Sequence, residues 1–383
     1  MLNWRAILLV TGTCIGAAAL PLPIFLAPYG LWGALSILLL AWLVMWAVSV
    51  LVLEALSGFE EDVSYVSMAE STLGPLGKYV TWVAYVCLLY ALIAAYLSGV
   101  GSLVSTYTLW PSWLSSSAVA LVGVVSLGMG VHVVDGLNKL FSLMLIVSFC
   151  LLFGFGVSHF SHVPMVHAKA HLTVHALPIV MLAFGYQVII PSIYQLGRRD
   201  VSTAVQTITV GSLIPLLLYV LWIGEVFTLF PEHGQWGLIA LHQAVDPAKS
   251  LVVYLSHILS RTWVVELVAC FIVSAMVTSF FGISLSLFDL WVDALHVDGR
   301  KRWWLGLCCI VPALIFSLVY PQGFMLALKY AAIFVAILSG LLPIAMVVVM
   351  RLRGAPRAYQ APVTAPLAAA LVLFFILAIL TCL

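Results

Sequence analysis

Runs of apolar residues near 6–27, 31–56, 80–107, 115–132, 138–159, 175–195, 204–230, 251–289, 303–320, 323–350 and 363–382 leave little of the chain outside them. About 20 helical residues cross the ~30 Å hydrocarbon core of a bilayer, so these eleven runs predict eleven transmembrane helices. In lipid only helices and closed barrels satisfy every backbone donor and acceptor, and runs of this length select helices. The predicted fold class is all-α: a polytopic membrane protein forming one domain over 1–383, with the lipid bilayer as its solvent. Several runs exceed 25 residues, which predicts tilt or extension beyond the bilayer. Arg261 and Glu266 fall early in the 251–289 run and predict that it opens with a surface helix.

Composition excludes several functions. Charged residues make up 8% of the chain, against about 25% in soluble domains. A formal net charge of +1 argues against a nucleic-acid partner. No GKS/T phosphate loop, HExxH or CxxC occurs, so nucleotide-driven and metallopeptidase chemistry lose support and no cofactor is expected. The seven cysteines, at 14, 87, 150, 270, 308, 309 and 382, show no metal-ligand spacing and read as small apolar packers. Met1–Ala19 has the outline of a cleaved signal, but its apolar run continues through LPLPIFLAPYG and reads better as a first span. His159, His162, His167, His171 and His175 crowd the loop before the sixth run. No cysteine or carboxylate joins them, which favours a solvated or pH-responsive loop over a metal site.

Basic residues cluster in alternate gaps: Arg5, Lys78, Lys139, Arg198 with Arg199, Arg300 to Arg302, and Arg351 to Arg357. The positive-inside rule then predicts a cytoplasmic N-terminus and, after an odd number of spans, an external C-terminus.

Two spans are built unlike the rest. TGTCIGAAALPLP, residues 11–23, interrupts the first run with glycines and threonines, and Phe184-Gly185-Tyr186-Gln187 interrupts the sixth between Pro178 and Pro191. Matching breaks five spans apart predict two inverted repeats, roughly 1–170 and 171–350, followed by a loop and an eleventh helix in 351–383. Gly12, Gly16 and Gly185 let the backbone leave helical geometry. In hydrocarbon the released N–H and C=O groups need partners, and an amino acid zwitterion offers them. Its carboxylate would face the half-helix starting near Ala17, and its ammonium the carbonyls ending near Ala183 and Phe184. The rival reading is close packing, since Gly12-xxx-Gly16 is also a small-xxx-small motif.

Five segments in order resemble the hydroxy and aromatic amino acid permeases of bacteria: GTCIGA at 12–17, LLYALIAAYLSGVGSL at 88–103, FGYQVIIPSIYQ at 184–195, TSFFGISLSLFD at 278–289 and YPQGFMLALKYA at 320–331. The resemblance implies a 5+5 inverted repeat like that of the bacterial leucine transporter plus one extra helix. It also implies inner-membrane import of an aromatic amino acid, L-tyrosine first, by proton symport, and no enzymatic activity. A tryptophan or broad aromatic permease, sodium-coupled or not, is the neighbouring reading; a channel or membrane-embedded enzyme is the remote one. The chain departs from the family pattern at Ala18, where glycine is usual, at Gln187, often histidine, and at Lys329, usually small.

The resemblance assigns backbone contacts with the amino acid head to Thr13, Cys14, Ile15, Gly16 and Ala17, completed by Phe184, Gly185 and Gln187. Tyr96 and Ser98 are candidates for the wall around the ring, with ordinary helix packing the alternative for Tyr96. Phe184 is the expected ring contact and Gln187 the expected partner for a phenol hydroxyl. For the coupling ion, Thr278 and Ser279 stand where sodium-coupled relatives of the fold hold sodium, and equally serve as interhelical glue. Glu54, Asp289 and Lys329 are the titratable candidates.

Overall fold

The computed structural model describes residues 3–15, 21–108, 110–157, 174–231, 234–244, 246–258, 262–295, 302–320, 323–355 and 357–382. Every regular element among them is helical. Asn3 caps α1 (Trp4–Cys14) by accepting the Ala6 N–H, and the chain resumes as α2 (Pro21–Leu26), a 3₁₀ turn and α3 (Gly30–Leu56). A short helix, α4 (Tyr65–Leu73), precedes α5 (Pro75–Thr108), α6 (Ser112–Met129) and α7 (Val131–Val157). The sixth run is divided into α8 (Leu177–Leu182), a 3₁₀ turn and α9 (Ile190–Leu196). Next come α10 (Val201–Leu229), the short α11 (Leu238–His242) and α12 (Pro247–Ile258), then α13 (Thr262–Leu295) and α14 (Arg302–Val319). α15 (Phe324–Ala336) passes through a π turn at Ile337–Leu341 into α16 (Leu342–Leu352), and α17 (Ala365–Leu380) follows.

Among the described residues, eight helical stretches are long and apolar enough to cross a membrane, and Trp4–Cys14, Trp303–Val319 and Ala365–Leu380 are shorter apolar helices. The expected 251–289 run is two elements: amphipathic α12 stands apart, and α13 extends past Asp289 to Leu295. At 34 residues and ~1.5 Å per residue, α13 is about 51 Å long and overshoots the hydrocarbon.

Small residues set the crossings, as expected where lipid removes the hydrophobic drive for helix association. At Gly211 of α10 an added Cβ would sit 2.8 Å from Val10 Cβ, and the Thr11 hydroxyl donates to the Gly211 carbonyl at 3.0 Å. α1 therefore lies directly on the backbone of α10. On the other side of α10, the Trp42 and Trp46 indoles of α3 donate to Ser212 and Thr209 at 3.1 and 2.9 Å. α5 is held in the same way, with Gly99 against Met276 and Phe324, and Ser116 of α6 donating to the Leu97 carbonyl. By contrast α7 turns Leu140, Leu143, Ile146, Val147 and Leu151 outward, a surface that only lipid would solvate.

Gly211→Leu is expected to lower the thermal midpoint of the detergent-purified protein, overpacking of this kind costing about 1–3 kcal/mol. Gly12→Ala, whose added methyl meets nothing within 4 Å, should leave it unchanged or raised; equal effects of the two would contradict the α1–α10 contact.

Candidate functional site

Each break has a local cause. In the first span, glycine and β-branched threonines weaken the helix, and Ile15 leaves it with extended dihedrals (φ −76, ψ 108) while its N–H still reaches the Thr11 carbonyl. Pro21 and Pro23 then suit the first turn of α2. In the sixth span the Phe184 N–H reaches the Met181 carbonyl at 3.0 Å, closing α8 with a tight turn. Pro191 has no N–H to offer the Gln187 carbonyl four residues earlier, so that carbonyl accepts from Ile190 in a 3₁₀ turn.

One side chain joins the two breaks. Tyr219 of α10 donates its hydroxyl to the Cys14 carbonyl at 2.6 Å, at the last residue of α1. Its ring also meets Phe184 edge-on, centroids 5.9 Å apart and planes at 81°. Thr13 turns its hydroxyl back to the Leu9 carbonyl of its own helix, at an exposed position. Ile15 is half-buried, and Gly16 and Ala17 lie outside the described residues.

Below Phe184 the break carries an unfilled polar group. Gln187 is fully buried, and its amide nitrogen donates to the Met45 carbonyl at 3.0 Å and to Ser49 Oγ at 3.2 Å. That pairing fixes which way the amide points and leaves Gln187 Oε1 with no donor. The Tyr186 hydroxyl faces Ser49 and Ser212. Unpaired buried polar atoms are uncommon in folded proteins, and here the Gln187 amide oxygen is one, in an interrupted helix. Gly185 faces Val335 of α15, which an added Cβ would approach to 3.3 Å.

The remaining expected residues separate. Tyr96 is buried with its hydroxyl interacting with Ser279, so a candidate ring-wall residue and a candidate ion ligand meet across α5 and α13. Ser98 pairs with Ser317 of α14 at 3.0 Å and acts as interhelical glue. Thr278 donates to Ala275 of its own helix at 3.0 Å. Asp289 is exposed on α13, and Lys329 is exposed on α15 within electrostatic reach of Cys382.

Glu54, the first titratable candidate, is 1% exposed. Arg351 clasps both its oxygens at 2.8 and 2.6 Å, Arg357 approaches at 3.4 Å, and the Ala361 N–H donates at 2.9 Å. Arg351 also donates to the Val363 carbonyl at 2.6 Å. Glu54 thus ties α3 to the segment after α16, a structural ion pair with its hydrogen bonds complete.

The sequence reading missed Glu225 of α10, 1% exposed with neither carboxylate oxygen hydrogen-bonded. The signal was present, since an ionisable residue inside an apolar run is a functional candidate by default. Tyr219 was missed for a better reason: a tyrosine in an apolar run carries no mark of what its hydroxyl will meet. Of the five loop histidines, His175 is exposed in a 3₁₀ turn and the other four lie outside the described residues. No group of three or more His, Cys, Asp or Glu able to hold a metal occurs among the described residues.

Helices interrupted in two places, joined at the breaks and wrapped by lipid-facing helices, define a multi-pass membrane protein of transporter architecture. A crystal structure of the Eremococcus coleocola manganese transporter, in complex with an aromatic bis-isothiourea substituted compound, superposes with a TM-score of 0.62 over 98% of this chain and 84% of that one. At 14% identity it speaks for the fold alone. Residues 2–382 match the tryptophan/tyrosine permease family, and the chain belongs to that family, a family of transporters and not of enzymes. Tyrosine-specific transport system 1 of Haemophilus influenzae is 30% identical over 351 residues, 89% of this chain and 86% of that protein. The tryptophan-specific transport protein of Pseudomonas aeruginosa is 27% identical over 374 residues, 91% and 87% of the two chains.

Tyr219→Phe removes one neutral hydrogen bond worth about 1 kcal/mol, so ligand binding measured by isothermal titration should weaken roughly fivefold with the fold intact; unchanged affinity would detach Tyr219 from the site. Glu54→Ala strands Arg351 and is expected to cost about 3 kcal/mol, the low end for a broken buried pair because Arg351 keeps 22% exposure. Thermal melts in detergent read the loss.

Proposed function

We propose that the protein imports an aromatic amino acid, tyrosine first, across the bacterial inner membrane by proton symport, alternating between outward and inward openings around the two interrupted helices. In this reading the N-terminus is cytoplasmic and residues 1–170 and 171–350 are inverted halves, the α1–α2 break answering the α8–α9 break. The observation that carries it is the unpaired Gln187 Oε1 in the broken sixth span, three residues from the Phe184 ring. The ring offers an aromatic guest an edge or face contact worth about 0.5–1.5 kcal/mol. The amide oxygen accepts from a phenol O–H. A guest without a donor leaves it unpaired, which is how a polar pocket rejects phenylalanine. The zwitterionic head is held by the backbone of residues 13–17 and by Gly185.

An indole N–H is also a donor, so tryptophan is the second reading, and ring size decides between them. Uptake of labelled tyrosine into proteoliposomes, competed by each of the twenty amino acids, tests both. Inhibition by tyrosine well ahead of phenylalanine and tryptophan is expected; tryptophan ahead of tyrosine would install the second reading. An imposed pH gradient should drive accumulation, and accumulation driven by sodium alone would overturn the proton. Gln187→Leu is predicted to narrow the preference for tyrosine over phenylalanine by about tenfold, roughly 1.4 kcal/mol of lost discrimination, measured in the same competition.

A further inference from the structure

We propose that Glu225 is the group that carries the coupled proton, an assignment that rests on the symport reading above. The protein itself supplies the comparison. Its other fully buried carboxylate with described surroundings, Glu54, is neutralised by Arg351 and Arg357 and hydrogen-bonded by a backbone N–H. Glu225 is as deeply buried and has none of these, with both oxygens unpaired. An ionised carboxylate cannot be left so at tolerable cost, and a buried carboxylate kept for structure is paired, as Glu54 is. A proton is the remaining way to remove the charge.

Among the described residues its surroundings offer no substitute cation. α10 packs on α1, α2, α3, α7 and α9. Those elements bring Arg5 and Cys14 on α1, Tyr29 and Glu54 beside and on α3, His132, Asp135, Lys139 and Cys150 on α7, and Tyr194 on α9. Arg5 lies at the start of α1, whose Asn3 cap reaches Leu196 at the end of α9, so it sits at the opposite end of α10. Lys139 and His132 are on exposed positions in the first turns of α7. Through the Trp222–Phe271 contact, centroids 4.8 Å apart, α13 adds Cys270 and Glu266, neither a cation. His242 of α11 is engaged with the Ile24 carbonyl at 3.0 Å.

Position connects the carboxylate to the substrate site. Glu225 lies six residues beyond Tyr219, about 9 Å along the helix, and Tyr219 is the side chain that touches both breaks. Movement of the half-helices on opening pulls on Tyr219 and hence on this part of α10. In the outward-open state water reaches the carboxylate and one proton binds to an Oε, giving the neutral acid. Closure over the substrate keeps it neutral, and inward opening releases the same proton to the cytoplasm.

In proteoliposomes holding the full chain, E225Q should lose pH-gradient-driven tyrosine accumulation by about tenfold or more, within the ~5–150-fold span of site-to-site coupling. Exchange of labelled for unlabelled tyrosine, which needs no net proton movement, should persist because the amide mimics the neutral acid. Wild-type accumulation by E225Q would overturn the role of Glu225 and leave symport standing. Indifference of the unmodified protein to the pH gradient would overturn both. Loss of exchange along with accumulation in a folded E225Q would mark a structural role and reject the proposal. If E225Q does not insert, E225D decides: a displaced pH profile of accumulation is expected, and a profile superimposable on the unmodified protein would overturn the assignment.

Discussion

A peptide group without a partner in hydrocarbon costs several kcal/mol, and this protein interrupts its helices twice within its membrane spans. The first interruption is made tolerable at Cys14, whose carbonyl takes the Tyr219 hydroxyl, and the second at Gln187, whose carbonyl takes the Ile190 N–H where Pro191 could not donate. Both repairs are partial. Around them the packing is close: α1 rests on the bare backbone at Gly211, and two indoles of α3 grip the same stretch of α10. α10 is consequently the helix against which the broken helices are held, and the Gln187 amide oxygen is left unpaired at the second break.

Among the described residues two carboxylates, Glu54 and Glu225, are fully buried, and their surroundings differ. Glu54 is surrounded by guanidinium groups and an amide N–H, and its position is fixed by charge as well as by packing. Glu225 has no hydrogen-bond partner at either carboxylate oxygen among the described residues, and in the proposal above its own protonation answers its charge. The same residue type is thus pinned by charge at Glu54 and left without a partner at Glu225, and the difference lies in what the neighbouring helices bring.

The helical class and the breaks were legible because both are written in local terms. Long apolar runs have one solution in lipid, and Gly185 between Pro178 and Pro191 leaves little choice about where the sixth span opens. Gln187 was a candidate from the sequence, and its unpaired amide oxygen is a geometric fact that no spacing rule contains. Ser98 and Glu54 were named as a ring-wall and a coupling candidate, and their hydrogen-bond partners lie 219 and 297 residues away, at Ser317 and Arg351, where no local pattern points. An opening helix was expected in the 251–289 run from Arg261 and Glu266; a separate α12 does precede α13, but Glu266 belongs to α13, which reaches Leu295. The head-group contacts at Gly16 and Ala17 remain a matter of the sequence, since they fall outside the described residues.

The Glu54–Arg351 clasp also bears on how the molecule is made. The two residues are separated by 297 positions, and at about 5–20 residues per second of synthesis the arginine reaches the ribosome's exit roughly 15–60 s after the glutamate. During that interval α3 sits in the bilayer with an acid whose permanent counter-charge does not yet exist. The arrival of Arg351 supplies that counter-charge, and only α17 (Ala365–Leu380) is made after it, so the clasp that ties α3 to the segment after α16 closes late in synthesis.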